Sequence, residues 1–278
     1  MKIAAVLMQK NEADLLPIWV GYYGEQFGRE NLFIHDNGSD DPQVLAFLDR
    51  IEAEGVFVER RFDTPEDFAN KGGILAAKIR QLDAEAPRDF YFPLDCDEFL
   101  GVRDEKGNVS FEMADIEAEL RPHLDCPDVL TLAGGYDNHP GEPGRYVYKG
   151  GRKKCFFARD ACVDLDLGFH RGRSKTGQIY VPTRLVNAHF HFKPFDTLRA
   201  HARQKLVGRV PDFREETLRA HKEARGKGMH LVDHLLYPDE AAYVAAFTAR
   251  FRPGSFVPLP GLERKMAALD LPVPFSGG

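Results

Sequence analysis

The chain has 278 residues, 43% of them hydrophobic and 29% charged, with a formal charge of −6. Its 25 glycines and 18 prolines are close to ordinary usage, which excludes collagen-like and mostly disordered chains, and no apolar run approaches the roughly 20 residues of a membrane helix. At roughly 150 residues per domain the length allows one large domain or two small ones.

The opening stretch, Ile3–Met8, reads as a buried strand rather than a secretory signal. Asn11 then stands where it caps a helix carrying Leu15, Leu16, Trp19, Val20, Tyr23 and Phe27 at helical spacing. A second strand is expected over Asn31–Asp36. Asp41-Pro42 supplies an N-cap and a proline at the first helical position, and Gly55 ends that helix before a third strand at Val56–Val58. Glu66–Ala86 reads as a helix that is interrupted or restarted at Gly72-Gly73. Asp89–Asp95 is a fourth strand. Such alternation of strands and helices calls for a doubly wound, mostly parallel α/β sheet.

Beyond Asp97 the rhythm changes. A helix over Ala114–Leu124 and a strand at Val129–Leu132 precede residues 134–152, whose six glycines and two prolines read as a long functional loop. Strand-like pieces follow at Lys154–Phe157, Gln178–Val181 and Leu185–Phe192, and helices occupy about 195–250. The whole of 1–250 is expected to form one domain, with residues 251–278 as a proline-rich extended tail.

Cys96, Cys126, Cys155 and Cys162 form no C-x-x-C pair and read as buried thiols of a reducing compartment. The spacing of Cys155, Cys162 and His170 matches no familiar zinc pattern. Charge is strongly segregated. Residues 1–144 hold 13 Lys/Arg against 30 Asp/Glu, whereas residues 145–210 hold 15 against 4. A solvated basic face is the bland reading of such a stretch, and an acidic chain argues against broad nucleic-acid binding. The remaining reading sets a basic, histidine-bearing segment against acidic strand ends.

Ligands of open α/β sheets bind beyond the carboxyl ends of the strands. The first strand runs into Gln9-Lys10-Asn11-Glu12, the second into Asp36-Asn37-Gly38-Ser39-Asp40-Asp41, and the fourth into Asp95-Cys96-Asp97-Glu98. Two carboxylates two residues apart at a strand end suit a hard divalent cation shared with diphosphate oxygens. An acidic turn after a buried strand would give the same pattern. A haloacid-dehalogenase-type phosphatase also begins with Asp-x-Asp, but Phe99 stands where that family has Thr or Val.

These pieces together resemble a glycosyltransferase of the GT-A fold, close to family 2 and a family 92-like group. The resemblance rests on Lys10-Asn11-Glu12 with Leu16–Tyr23, on Ile34–Asp41, on Phe92–Leu100, and more loosely on Gly168-Phe169-His170 and His189-Phe190-His191-Phe192-Lys193 with Lys205 and Gly208. It implies a nucleotide-binding half over residues 1–100, a metal and acceptor half over 101–210, and packed helices over 211–250. Asn11, Glu12, Asp36, Asp41, Lys71 and Asp95 would then serve the nucleotide. Asp95, Asp97, His170 and His189 would hold Mn²⁺ or Mg²⁺, and Lys193 would meet the diphosphate. His191 shares a face with His189 if that segment is extended.

An acceptor hydroxyl needs a base. Asp137, Asp164 and Asp166 are the available carboxylates, and Asp137 is preferred, although the acidic pair usual in family 2 is missing. The implied reaction moves a sugar from a nucleotide-diphosphate sugar, expected to be a uridine one, to a glycan or lipid-linked hydroxyl. No nucleic-acid partner and no transmembrane segment is expected. The implied location is cytoplasmic, with a peripheral approach to membranes for a lipid-linked acceptor. A nucleotidyltransferase would favour a glycine-rich basic N-terminal loop that is absent, while a silent nucleotide- or carbohydrate-binding module would share every motif.

Overall fold

A computed structural model of the chain describes residues 1–151 and 154–275. Arg152, at the end of the expected long loop, and the last three residues of the expected tail lie outside the described residues. The backbone divides into two compact units. The first comprises Met1–Tyr136, Tyr148–His189 and Leu259–Pro274, and the second Asp137–Val147, Phe190–Pro258 and the end of the chain.

The first unit is built on β1 (Ile3–Gln9), α1 (Leu16–Phe27), β2 (Leu32–Asp36), α2 (Pro42–Ala53), β3 (Phe57–Glu59), α3 (Pro65–Ala69), α4 (Lys71–Glu85) and β4 (Phe90–Pro93). β4, β1, β2 and β3 lie side by side and all parallel. The strand Cys155–Ala158 extends this sheet antiparallel to β4, followed by Val129–Thr131 and Tyr180–Pro182. The architecture is therefore mixed α/β around a mostly parallel sheet. All seven residues of β1 are buried, as an unbroken apolar run in the middle of a parallel sheet must be.

Alternate side chains of β1 serve opposite faces. Ala4, Val6 and Met8 join Leu75, Ile79 and Leu82 of α4, Phe157 and Phe169 in one core cluster. Elsewhere in the core, α1 contributes Trp19, Tyr22 and Tyr23, all fully buried. Tyr22 meets Phe99 edge-on at 5.2 Å, and Phe27 stacks on Phe92 at 6.4 Å.

Local chemistry explains several boundaries. The Asp41 carboxylate accepts from the Gln43 N–H at 2.8 Å and Pro42 opens α2, as expected. Thr64 and Asp67 form a reciprocal capping box for α3. The break in the long helix falls at Asn70, just ahead of the glycine pair. Asn11 does not cap α1: the N-cap position belongs to Leu15, with no side-chain cap bond.

Residues 134–150 are not a loop but contain the strands Gly134–Asn138 and Tyr146–Gly150. Glycine there serves close packing, since a Cβ on Gly135 would lie 2.4 Å from Asn187 Oδ1. The expected tail is likewise not extended throughout. Pro260 opens a nine-residue helix, Pro260–Ala268, which buries Leu262 and Met266 in the first unit. Prolines at a helix start and in its flanks give the composition of a tail without its structure.

Among the described residues the second unit carries the α-helices Phe195–Leu206, Glu215–Glu223, Val232–Leu236 and Glu240–Thr248. Phe192, Leu198, Tyr243 and Phe247 form one apolar cluster, and Leu206, Val210, Leu218 and Val232 another. The Asn138 amide fastens both backbone groups of Phe192, donating at 2.7 Å and accepting at 3.0 Å. Among the described residues no helix is long and apolar enough to cross a membrane.

Candidate donor and metal site

Parallel pairing puts the carboxyl ends of β1, β2 and β4 on one edge of the first unit, where Gln9 stands opposite Asp36 in register. The Asp36 carboxylate is buried and well satisfied. It accepts from Gln9 Nε2 at 2.6 Å, from Ser39 Oγ at 2.5 Å and from the Ser39 N–H at 3.1 Å. The Asn37 amide donates to the carbonyls of Phe62 and Thr64, and Gly38 takes φ +70° against the backbone of Asp63. The Asp-Asn-Gly-Ser element is thus an Asx-type turn locked from below.

Asn11 belongs to the same construction. With φ +54° its side chain reaches across to the second loop. It donates to Asp40 at 2.6 Å and accepts from the N–H groups of Asp40 and Asp41. Glu12 follows, its N–H held by Gln9 Oε1 at 3.2 Å. Asn11, Asp36 and Asp41 are therefore brought together as a rigid two-loop wall, with Glu12 beside it.

After β4 the chain makes a tight turn, Asp95–Glu98, into β5 (Glu98–Arg103). The Glu98 N–H donates to the Asp95 carbonyl, and the Glu98 carboxylate accepts the Asp95 N–H, both at 3.1 Å. Two ammonium groups close on Asp95: Lys71 Nζ at 2.7 Å and Lys154 Nζ at 2.6 Å, the latter also 3.0 Å from Glu98. Both lysines are about 6% exposed. Both also lie over the ring of Phe169, at 4.5 and 4.9 Å, which adds a cation–π contact to each.

Burial by itself would raise the Asp95 pKa, but Lys154 and Lys71 outweigh it and hold the carboxyl well below the usual range. Burial likewise works against the Lys154 charge, and Asp95 and Glu98 reverse it, so the ammonium is held well above its ordinary value. Asp95 is thus ionised and engaged on both oxygens.

The second aspartate of the turn faces elsewhere. Asp97 Oδ2 lies 3.4 Å from His189 Nε2, and both side chains are largely buried. β5 pairs antiparallel with Leu185–His189, setting His189 opposite Glu98. The pairing explains why residues 92 positions apart meet. A carboxylate beside an imidazole suits a borderline divalent cation such as Mn²⁺ better than Mg²⁺, which prefers all-oxygen ligands. The donor set of Asp97 and His189 therefore fits the implied ion.

His170 is exposed, two residues past Gly168 in the loop that presents Phe169. Asp137 and Lys193 belong to the second unit. Asp137 sits on the strand Gly134–Asn138 with no exposed surface. His191 follows His189 by two residues, past the end of the strand Leu185–His189. Cys96, Cys155 and Cys162 are buried, as expected, whereas Cys126 is half-buried; burial pushes the Cys162 thiol up to about 12.

Lys154 and Phe169 stand against Asp95 and Lys71 without being singled out in the sequence as candidate residues. Phe169 is buried and non-glycine with φ +58°, an unusual conformation for an aromatic residue. Its carbonyl accepts the Cys155 N–H at 2.7 Å. The available signal was a lysine immediately before an apolar strand, ahead of the Gly-Phe-His element. None of these residues lines the groove of about 460 Å³ between Arg103, Phe111, Glu112 and Arg184, so concavity alone does not mark the site.

No protein-family model and no curated protein sequence matches the chain. Solved structures do, at low similarity. The chain is similar to S. aureus TarS 1-349 in complex with UDP, at 19% identity and TM-score 0.35 over 51% of this chain and 38% of that one. It is similar to the mannosyltransferase PcManGT from Pyrobaculum calidifontis in complex with GDP-Man and Mn²⁺, at 14% identity and TM-score 0.39, over 98% and 81%. It is also similar to glucosyl-3-phosphoglycerate synthase from Mycobacterium tuberculosis, at 16% identity and TM-score 0.36, over 73% and 76%. The chain spans 36%, 38% and 40% of the length of the three TarS structures.

Proposed function

We propose that the chain is a metal-dependent glycosyltransferase of the GT-A type, with its donor site on the carboxyl edge of β1, β2 and β4. The observation that carries the reading is the Asp97–His189 contact, which stands beside the lysine-flanked Asp95 at the end of a parallel-sheet strand. Asn11, Glu12, Asp36 and Asp41 form the wall for the nucleoside, where amide and carboxylate groups meet base and ribose donors. Lys71 and Asp95 stand next to it. Asp97 and His189 would hold Mn²⁺, or Mg²⁺ less well, and the ion would offset charge on the departing diphosphate. The donor is a nucleotide-diphosphate sugar, with uridine first among the bases, and the acceptor a glycan or lipid-linked hydroxyl.

The test is calorimetric titration with uridine and guanosine diphosphates, with and without Mn²⁺. Cation-dependent binding that disappears in Asp97→Ala is the expected result. Binding that ignores both the ion and the substitution would overturn the reading. A second reading, a nucleotide-binding module without turnover, is favoured by the complete burial of Asp137. Turnover of a nucleotide-sugar, measured as released nucleotide, would separate it from the first.

A further inference from the structure

Lys71 and Lys154 come from distant parts of the chain, the first residue of a 15-residue helix and the approach to Cys155–Ala158. Both ammonium groups are buried, both lie over one aromatic face, and both end on the same carboxylate. The glycine after Lys71 fixes the helix start. A Cβ on Gly72 would lie 2.2 Å from the Leu165 carbonyl oxygen and 2.4 Å from that of Asp166, so α4 begins in direct backbone contact with the loop that presents Phe169. A rigid two-lysine seat with an anion on it is the result. The anion is Asp95, which remains 31% exposed while the lysines beneath it do not.

We propose that this seat is a phosphate site closed by an internal carboxylate, and that it couples the two halves of donor binding. An incoming nucleotide diphosphate takes the ammonium groups of Lys71 and Lys154, and Asp95, released from them, turns to join Asp97 as a cation ligand. The inference rests on the donor-site reading above, and adds to it that cation and nucleotide bind each other's competent state. In the absence of nucleotide the lysines hold Asp95 away from the cation. Coupling of this kind is reciprocal and commonly amounts to about 5–150-fold in affinity.

The sign of the test is opposite to that of an ordinary binding lysine. Mn²⁺ affinity is measured by titration of the ion alone and again in saturating uridine diphosphate, on the wild type, Lys154→Met and Lys154→Arg. The wild type should bind Mn²⁺ about tenfold more tightly with the nucleotide present. Lys154→Met should bind Mn²⁺ alone several-fold more tightly than the wild type and should lose most of the nucleotide's enhancement. Lys154→Arg should restore both.

If Lys154→Met leaves Mn²⁺ binding alone unchanged and the enhancement intact, the coupling is refuted while the donor site stands. If Asp97→Ala binds Mn²⁺ and nucleotide as the wild type does, the donor-site reading itself fails. Lys71→Met gives the same readout should Lys154→Met not fold. Loss of a neighbouring positive charge tightens cation binding in any case, so the nucleotide's enhancement decides: if it survives in Lys154→Met the coupling is refuted, whatever the ion does alone.

Discussion

Asp97 and His189 face each other at 3.4 Å because β5 runs antiparallel to the strand that ends in His189. One strand pairing thus converts a turn residue and a strand terminus into a carboxylate–imidazole pair. Asp95, two residues before Asp97, is drawn into a different environment by two lysines. A motif that looks symmetric in sequence is asymmetric in space.

The asymmetry predicts ion preference. The wild type should take Mn²⁺ in preference to Mg²⁺, because imidazole suits the softer ion. His189→Asp, an all-oxygen set, should narrow or reverse that preference, and His189→Ala should weaken Mn²⁺ binding by roughly tenfold or more. Titrations of both ions against the three proteins decide it. Equal Mn²⁺ affinity in His189→Ala would remove the histidine from the site.

Tyr23 ties α1 to the start of β5. Its hydroxyl donates to the Glu98 carbonyl and accepts the Leu100 N–H, both at 2.9 Å and both buried. Tyr23→Phe orphans two buried backbone groups, each worth about 1–3 kcal/mol, so a loss of about 2–4 kcal/mol is expected in urea unfolding. Tyr22→Phe leaves one buried backbone group, the Leu100 carbonyl, without its donor and should cost less. Equal costs would mean that the hydroxyl bonds are not what distinguishes the two tyrosines.

Gly72→Ala should destabilise by more than about 2 kcal/mol, although alanine is the better helix former by about 1 kcal/mol. The added methyl meets backbone oxygens that cannot withdraw. At Gly73 the nearest atom is the Asn70 side-chain oxygen, 2.6 Å away, which can rotate aside. Gly73→Ala should therefore lie much closer to neutral. Thermal unfolding of the two variants side by side reads the contrast.

Much of the first unit was legible because each of its signals is local. Unbroken apolar runs mark β1 and β4, Asp41-Pro42 marks a helix start, and the acidic and amide residues at the strand ends mark the rim. What the sequence hid depends on distant neighbours. Glycines in residues 134–150 read as loop because nothing local shows that Asn187 packs on Gly135. Prolines near the end read as tail because the burial of Leu262 and Met266 is a tertiary fact. Lys154 stayed invisible for the same reason: its partners, Asp95 and Glu98, lie more than fifty residues away.

The last prediction concerns acid. His35 lies on β2, 2% exposed, with its ring among Phe57 and Phe62 and near Lys78. Burial pushes its pKa down from 6.5 to about 4, against a hydrogen bond to the Leu7 carbonyl that works the other way. The folded protein keeps the ring neutral where the unfolded chain would protonate it. The stability His35 contributes is therefore fully present above pH 6.5 and is lost as pH falls toward 4, at about 1.4 kcal/mol per pH unit inside that window. Between pH 7 and pH 5 the wild type should lose about 2 kcal/mol on this account. His35→Gln, which cannot titrate, should show a correspondingly flatter dependence in urea unfolding at the two pH values. Parallel losses in both proteins would show that the imidazole is not the acid-sensitive group.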